Sequence, residues 1–403
     1  MKRERVVLAY SGGLDTSVAI HWLREKYGLD VVAVCVDLGQ GRELKEVERK
    51  AWKLGCVDVT VEDAREVFCD EFVSAAIRAN ALYEGQYPLS TALARPLIAR
   101  CCVLAARRVK AGFVAHGSTG KGNDQVRFDV SFASLAPDLK VIAPVREWDM
   151  TRGKEIEYAK KHGIPVPVDI DRPYSADMNL WGKSTECGVL EDPWRAPPRD
   201  AYDWVRPVED APDRPESIEI NFKQGVPCGL NGKPVKLINI IEKLNALGAK
   251  HGVGFVDMME NRLVGIKSRE TYEAPGATII ITAHRDIESL TLTRDLHHFK
   301  RIAEERFSEL IYDGLWYTQL REALDAFFRR SQRDVEGTVR VRLFKGRCLV
   351  VGRKSGRSLY DEGLATYDAG DVFDHSAAAG FIHVWGLPHA TVSRVERKRR
   401  KKG

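Results

Sequence analysis

The segment Arg5–Tyr10 is a run of strand-forming residues that ends in Ser11-Gly12-Gly13-Leu14-Asp15-Thr16-Ser17 and passes straight into a helical pattern. Few folds accommodate such a junction. A helix that opens behind a strand presents unpaired backbone N–H groups and the positive end of its dipole at the strand's carboxyl end, and two glycines let an anion approach without meeting a Cβ. Ser11, Thr16 and Ser17 add hydroxyl donors, and Asp15 stands where it can cap the helix or hold magnesium. Phosphate oxygens are the natural occupant. Two other phosphate loops are ruled out by residue type. Asp177 stands where a Walker loop ending in Gly182-Lys183-Ser184 needs its first glycine, and Asp257 where a dinucleotide fingerprint at Gly252 and Gly254 needs its third.

The rest of the first 165 residues repeats the strand-then-helix alternation, with strands expected at Val31–Val36, Val57–Val61, Gly112–His116 and Lys140–Ala143. Helical patterns cover Asp15–Tyr27, Arg42–Leu54, Arg65–Ala81 and Arg95–Lys110. This predicts an α/β fold: an open, parallel, Rossmann-like nucleotide-binding domain over residues 1–165. From Gly163 prolines crowd the chain, from Pro165, Pro167 and Pro173 to Pro215, and the segment reads as a linker with long loops. Beyond it an α+β domain is expected over 166–370. Its strands are read at Ser217–Phe222, Phe255–Met259 and Leu263–Lys267, and its helices at Asn239–His251, Thr278–Leu310 and Thr318–Arg330. A hairpin follows at Gly337–Phe344 and Arg347–Arg353. Residues 371–403 read as a C-terminal helix with a basic tail.

Charge and cysteine usage narrow the setting. Formal net charge is +5, yet Arg394–Lys402 carries seven basic residues against Glu396, so the remainder is close to neutral. A nucleic-acid binder carries its basic patch on a folded face. Here the charge sits on a terminus, so no nucleic-acid partner is expected. The eight cysteines form no C-x-x-C pair, which points to a reducing compartment, read as cytoplasmic. The longest clean apolar run, Val31–Val36, falls far short of the ~20 residues of a membrane span, and no signal peptide is read. His297-His298 and Cys101-Cys102 are adjacent on helices and point ~100° apart, so neither reads as a metal or redox pair.

A second cluster, His116-Gly-Ser-Thr-Gly-Lys-Gly-Asn-Asp-Gln-Val-Arg-Phe128, follows another strand of the same sheet and belongs at the same carboxyl edge. Its three glycines, one lysine, one arginine and two amides suit a nest for polyanions and carboxylates.

The loop at Ser11 resembles the PP-loop of ATP pyrophosphatases. Ala9–Ser17, Tyr87–Pro96, His116–Phe128, Lys140–Pro144, His251–Gly254 and Glu260–Arg262 together are similar, in order, to the argininosuccinate synthase family, over about Val6–Gly386. That resemblance implies a ligase joining L-citrulline to L-aspartate through a citrullyl-adenylate, with ATP leaving as AMP and pyrophosphate. It implies that Ala9, Tyr10, Ser11, Gly12, Gly13, Leu14, Asp15, Thr16, Ser17, Val36 and Gly117 hold ATP, with magnesium on its phosphates and no protein-only metal site. Aspartate falls to Thr119, Asn123 and Asp124, and citrulline to Tyr87, Asn123, Arg127, Ser175, Ser184, Glu260 and Tyr272. Arg127 is expected to meet the citrulline carboxylate as a bidentate fork, and Glu260 its amino group. Taken alone, Ser175 and Tyr272 read as loop residues and Glu260 as a turn residue. The resemblance also implies a homotetramer, with Gly380–Arg397 reaching across subunits. A tRNA-adenylylating PP-loop enzyme would need a catalytic cysteine pair or an RNA-binding module, and neither is visible. A non-catalytic regulator fits poorly with intact Ser11–Ser17 and Thr119–Arg127.

Overall fold

Strand β1 (Arg5–Ala9) lies at the centre of a parallel sheet with β2 (Asp30–Asp37), β3 (Asp58–Asp63), β4 (Phe113–Ala115) and β5 (Lys140–Ile142), in the order β3-β2-β1-β4-β5. The computed structural model describes residues 3–41, 44–148, 150–165 and 174–401. Arg42, Pro167, Pro173 and Lys402, named above, lie outside the described residues.

Alternation builds this sheet. Val7, Val32 and Val34 enter one core, whereas Val6, Leu8, Val31, Ala33 and Cys35 enter another on the opposite face. Strand order reverses at β1, which has β2 on one side and β4 on the other, so the loops after β1 and β4 flank one crevice. Helices Leu14–Tyr27, Ser90–Val109 and Asn123–Leu135 all begin at that crevice, their first turns supplying residues to it. The helix expected from Arg95 begins at Ser90, so Pro96 lies in its interior. The pattern at Arg65–Ala81 is a helix that widens into a π-helical stretch at Phe68–Val73 and ends at Arg78.

The proline-rich segment is not all loop. It contains β6 (Ser175–Asn179) and β7 (Gly182–Glu186), which pair as a hairpin. Next come β8 (Glu216–Lys223), β9 (Val226–Leu230), β10 (Lys233–Pro234), β11 (Phe255–Asn261), β12 (Lys267–Glu273), β13 (Gly337–Phe344) and β14 (Arg347–Lys354). They form two antiparallel sheets, β10-β9-β8-β13-β14 and β11-β12-β7-β6. The strand expected at Leu263–Lys267 is instead the β11–β12 turn, closed by Arg262 N–H on the Ile266 carbonyl at 2.8 Å, and β12 starts at Lys267. The single helix expected over Thr278–Leu310 is two, Pro275–Thr291 and Arg294–Tyr312, separated by extended backbone at Leu292 and Thr293. Both helices are amphipathic, so apolar periodicity runs across the break and hides it.

Packing divides the chain into a unit ending at Arg357 and a second starting at Ser358. The second carries helix His375–Arg400, capped by Asp374, whose carboxylate accepts from the N–H groups of Ser376 and Ala377.

Candidate active site

One cavity of about 520 Å³ receives the loop after β1, the segment after β4, the start of helix Ser90–Val109, and side chains from β6, β7, β11 and β12. Pockets of ~300–1,000 Å³ hold nucleotides and cofactors. Of the ATP residues expected from sequence, Ala9, Tyr10, Ser11, Gly13, Leu14, Asp15, Thr16, Val36 and Gly117 line it. Gly12 and Ser17 do not. Gly12 turns the chain at φ +77°, and its carbonyl accepts from Lys50 Nζ at 2.8 Å. Ser17 is buried and donates to the Gly13 carbonyl at 2.6 Å. Gly117 is constrained by space: a Cβ there would stand 2.8 Å from Thr16 Cγ2. Asp15 lines the cavity, and its Oδ1 accepts from Arg152 Nη1 at 3.2 Å.

Thr119, Asn123, Asp124, Tyr87, Arg127, Ser175, Ser184, Glu260 and Tyr272 line the same cavity. The three residues that read as loop or turn stand on strands: Ser175 opens β6, Glu260 lies in β11 and Tyr272 in β12. Register explains it. Tyr272 pairs with Ser184 across β12 and β7, and Ser184 with Asp177 across β7 and β6, so one sheet carries this wall of the cavity.

These side chains hold one another. Both oxygens of Glu260 accept hydroxyl hydrogen bonds, from Tyr272 and from Tyr312, and burial raises its pKa above the usual carboxylate range. Each oxygen keeps a further lone pair. Tyr272 stacks on Tyr87 with ring centroids 3.9 Å apart. Asn123 is spanned at both ends: its amide donates to the Tyr312 hydroxyl at 2.7 Å and its oxygen accepts from Leu263 N–H at 2.9 Å. It acts as a strut. Arg127 departs from the expected free fork, because Nε donates to the Tyr312 carbonyl at 2.8 Å and Nη1 to Asp124 at 2.9 Å. Its Nη2 is buried and has no hydrogen-bond partner. A buried, unmatched guanidinium nitrogen is costly, and a substrate carboxylate would satisfy it. Asp124 also accepts from Arg95 Nη2 at 2.8 Å. Burial pushes its pKa up, but Arg95 and Arg127 together hold it below the ordinary value.

Sequence reasoning left out several lining residues. Arg95 Nη2 bridges Asp124 and Asp177, at 2.8 and 2.5 Å. Arg262 binds Glu186 and Glu270 through one nitrogen. Burial, together with the neighbouring Glu186 charge, raises Glu270 to about 7. Arg95 and Arg262 belong to the quoted segments Tyr87–Pro96 and Glu260–Arg262, so that signal was present, whereas nothing local marks Asp177, Glu186 or Glu270. Four arginines and six acids line the cavity among the described residues, a mixture suited to zwitterions. The apolar side chains of Val34, Val36, Leu44, Val47 and Ile98 offer a surface for a flat ring.

Metal-type donors gather at one place among the described residues, His21, Glu25 and His162. This is an aromatic stack. The His162 ring lies 4.1 Å from that of His21 and 4.3 Å from that of Tyr158, closer than the ~5 Å of two imidazoles sharing a tetrahedral ion. The Tyr158 hydroxyl bridges His21 Nδ1 and Glu25, at 2.8 Å each.

Residues 5–165 match the family described as the arginosuccinate synthase N-terminal HUP domain, and residues 174–392 match the arginosuccinate synthase C-terminal domain. The chain is similar to the argininosuccinate synthase of Geobacillus kaustophilus, with 58% identity over 398 residues, 99% of this chain and 98% of that protein. It is also similar to the argininosuccinate synthase of Brevibacillus brevis, with 56% identity over 395 residues, 98% of this chain and 94% of that protein. With a nucleotide-type loop, a cavity lined for zwitterions and this likeness along nearly its whole length, the chain belongs to the argininosuccinate synthase family.

Proposed function

We propose that this enzyme ligates L-citrulline to L-aspartate at the expense of ATP, forming argininosuccinate, AMP and pyrophosphate in arginine biosynthesis. One observation carries the reading most directly: the phosphate-type loop at Ser11–Ser17 and the charged wall at Glu260, Tyr272 and Arg127 share one cavity. In the first step the ureido oxygen of citrulline attacks the α-phosphorus and pyrophosphate leaves. In the second the aspartate amine, having lost a proton, attacks the ureido carbon and AMP leaves. Donors at the N-terminus of helix Leu14–Tyr27 stabilise the departing pyrophosphate. Arg127 Nη2 takes the citrulline carboxylate, and Glu260 with its tyrosines takes the α-ammonium. Ser175 and Ser184 fix the orientation of citrulline. Thr119 and Asp124 receive aspartate, with Asn123 holding the wall between the two substrates. Catalysis rests on positioning and charge.

Magnesium fits the hard-oxygen donor set here, since the Asp15 carboxylate belongs to the cavity lining beside the loop after β1. When bound on the phosphates it neutralises charge that builds on the leaving group. Free thiols at all eight cysteines support a cytoplasmic setting. No helix among the described residues is long and apolar enough to cross a membrane. The exposed apolar side chains of helix His375–Arg400 support a homotetramer.

Purified enzyme given ATP, magnesium chloride, citrulline and aspartate is expected to release equal amounts of AMP and pyrophosphate, and none of either when citrulline is left out. Release of ADP and orthophosphate would contradict the reading.

A further inference from the structure

Helix Arg152–Lys161 is fastened to the first turns of helix Leu14–Tyr27 by a small core of Leu14, Val18, Ala159 and Ile164, with Trp148, Met150 and Ile156 against it. This packing buries Glu155, which is 5% exposed and does not line the cavity. A buried acid survives only with a partner or a proton. Glu155 Oε2 lies 3.8 Å from Arg152 Nη1, which in turn reaches Asp15 Oδ1 at 3.2 Å. Its other oxygen, Oε1, has no partner. Asp15 and Arg152 both face the cavity at the phosphate loop, so the acid stands directly behind the two charged groups nearest the leaving phosphates.

We propose that Glu155 is a positioning residue for the nucleotide: it holds the Asp15 carboxylate and the Arg152 guanidinium in the arrangement that receives the terminal phosphates. This rests on the proposed ATP chemistry of the cavity and adds to it a residue that never touches substrate. Without Glu155, Arg152 has only Asp15 to pair with and closes on it, withdrawing both groups from the nucleotide. Glutamine retains an acceptor oxygen toward Arg152 and the same reach; leucine retains the volume and loses the polar contact. Removing a group that orients ligand-binding side chains weakens binding by about tenfold or more.

The test measures ATP binding by calorimetry in magnesium chloride, with wild type, Glu155→Gln and Glu155→Leu, alongside KM for each of the three substrates and thermal unfolding. Glu155→Leu is expected to bind ATP about tenfold more weakly and to raise KM for ATP, with KM for citrulline and aspartate within twofold of wild type. Glu155→Gln is expected to recover most of the affinity. The melting temperature of Glu155→Leu is expected at or above that of wild type, since an apolar isostere replaces a buried acid, and this separates positioning from folding. Equal ATP affinity in all three proteins would overturn the inference, as would a parallel rise in all three KM values. Failure of wild type to bind ATP would instead overturn the functional reading.

Discussion

Single residues carry the shape of the loop after β1. Gly12 has φ +77°, and a Cβ there would stand 3.0 Å from Val47 Cγ1. Gly12→Ala is therefore expected to lower unfolding free energy by about 1–2 kcal/mol in urea titration and to weaken ATP binding. Unchanged stability would show that the backbone there relaxes freely. Glu270 gives a pH signature. Its folded pKa of about 7 stands above the ordinary carboxylate value because of burial and the Glu186 charge. The folded state therefore keeps a proton that the unfolded chain releases near pH 4.5, and stability contributed below that point is lost as pH rises through 7. Glu270→Gln should cancel the loss, gaining on the order of 2 kcal/mol over wild type between pH 5 and pH 8. A gap that stays constant with pH would remove Glu270 as the source.

Elements decide which of these residues meet. Strands β1 and β2 are legible because apolar residues fill them, and the glycine junction marks where β1 stops. Strands β6 and β7 are not, since Ser-Ala-Asp-Met-Asn and Gly-Lys-Ser-Thr-Glu lack an apolar face and take their strand form from pairing with each other and with β12. Ser175 and Tyr272 read as loop residues and Glu260 as a turn residue until β6, β12 and β11 joined one sheet. Tyr272→Phe removes the hydroxyl that donates to Glu260 and leaves the stack on Tyr87. Steady-state kinetics should show KM for citrulline rising about tenfold with ATP affinity unchanged. An equal loss for both substrates would mean that the sheet itself had shifted.

At the scale of the molecule, helix His375–Arg400 exposes Phe381, Ile382, Val384 and Trp385, each 63–68% accessible. An apolar cluster of that kind calls for a partner surface. Light scattering should record a smaller mass when the chain is ended after Ala379, and an unchanged mass would place the assembly contact elsewhere. What the sequence determined by itself was local or patterned: the turn at Gly12 and Gly13, the parallel sheet from its alternating segments, and an order of motifs that named the substrates. Tertiary structure alone decided the pairings. Arg95 meets Asp177 across 82 positions and Arg152 meets Asp15 across 137, while Glu155 and Glu270 acquire their chemistry from neighbours no local pattern announces. Charge and desolvation act through space, and adjacency in space is settled only when helices and sheets close on a common core.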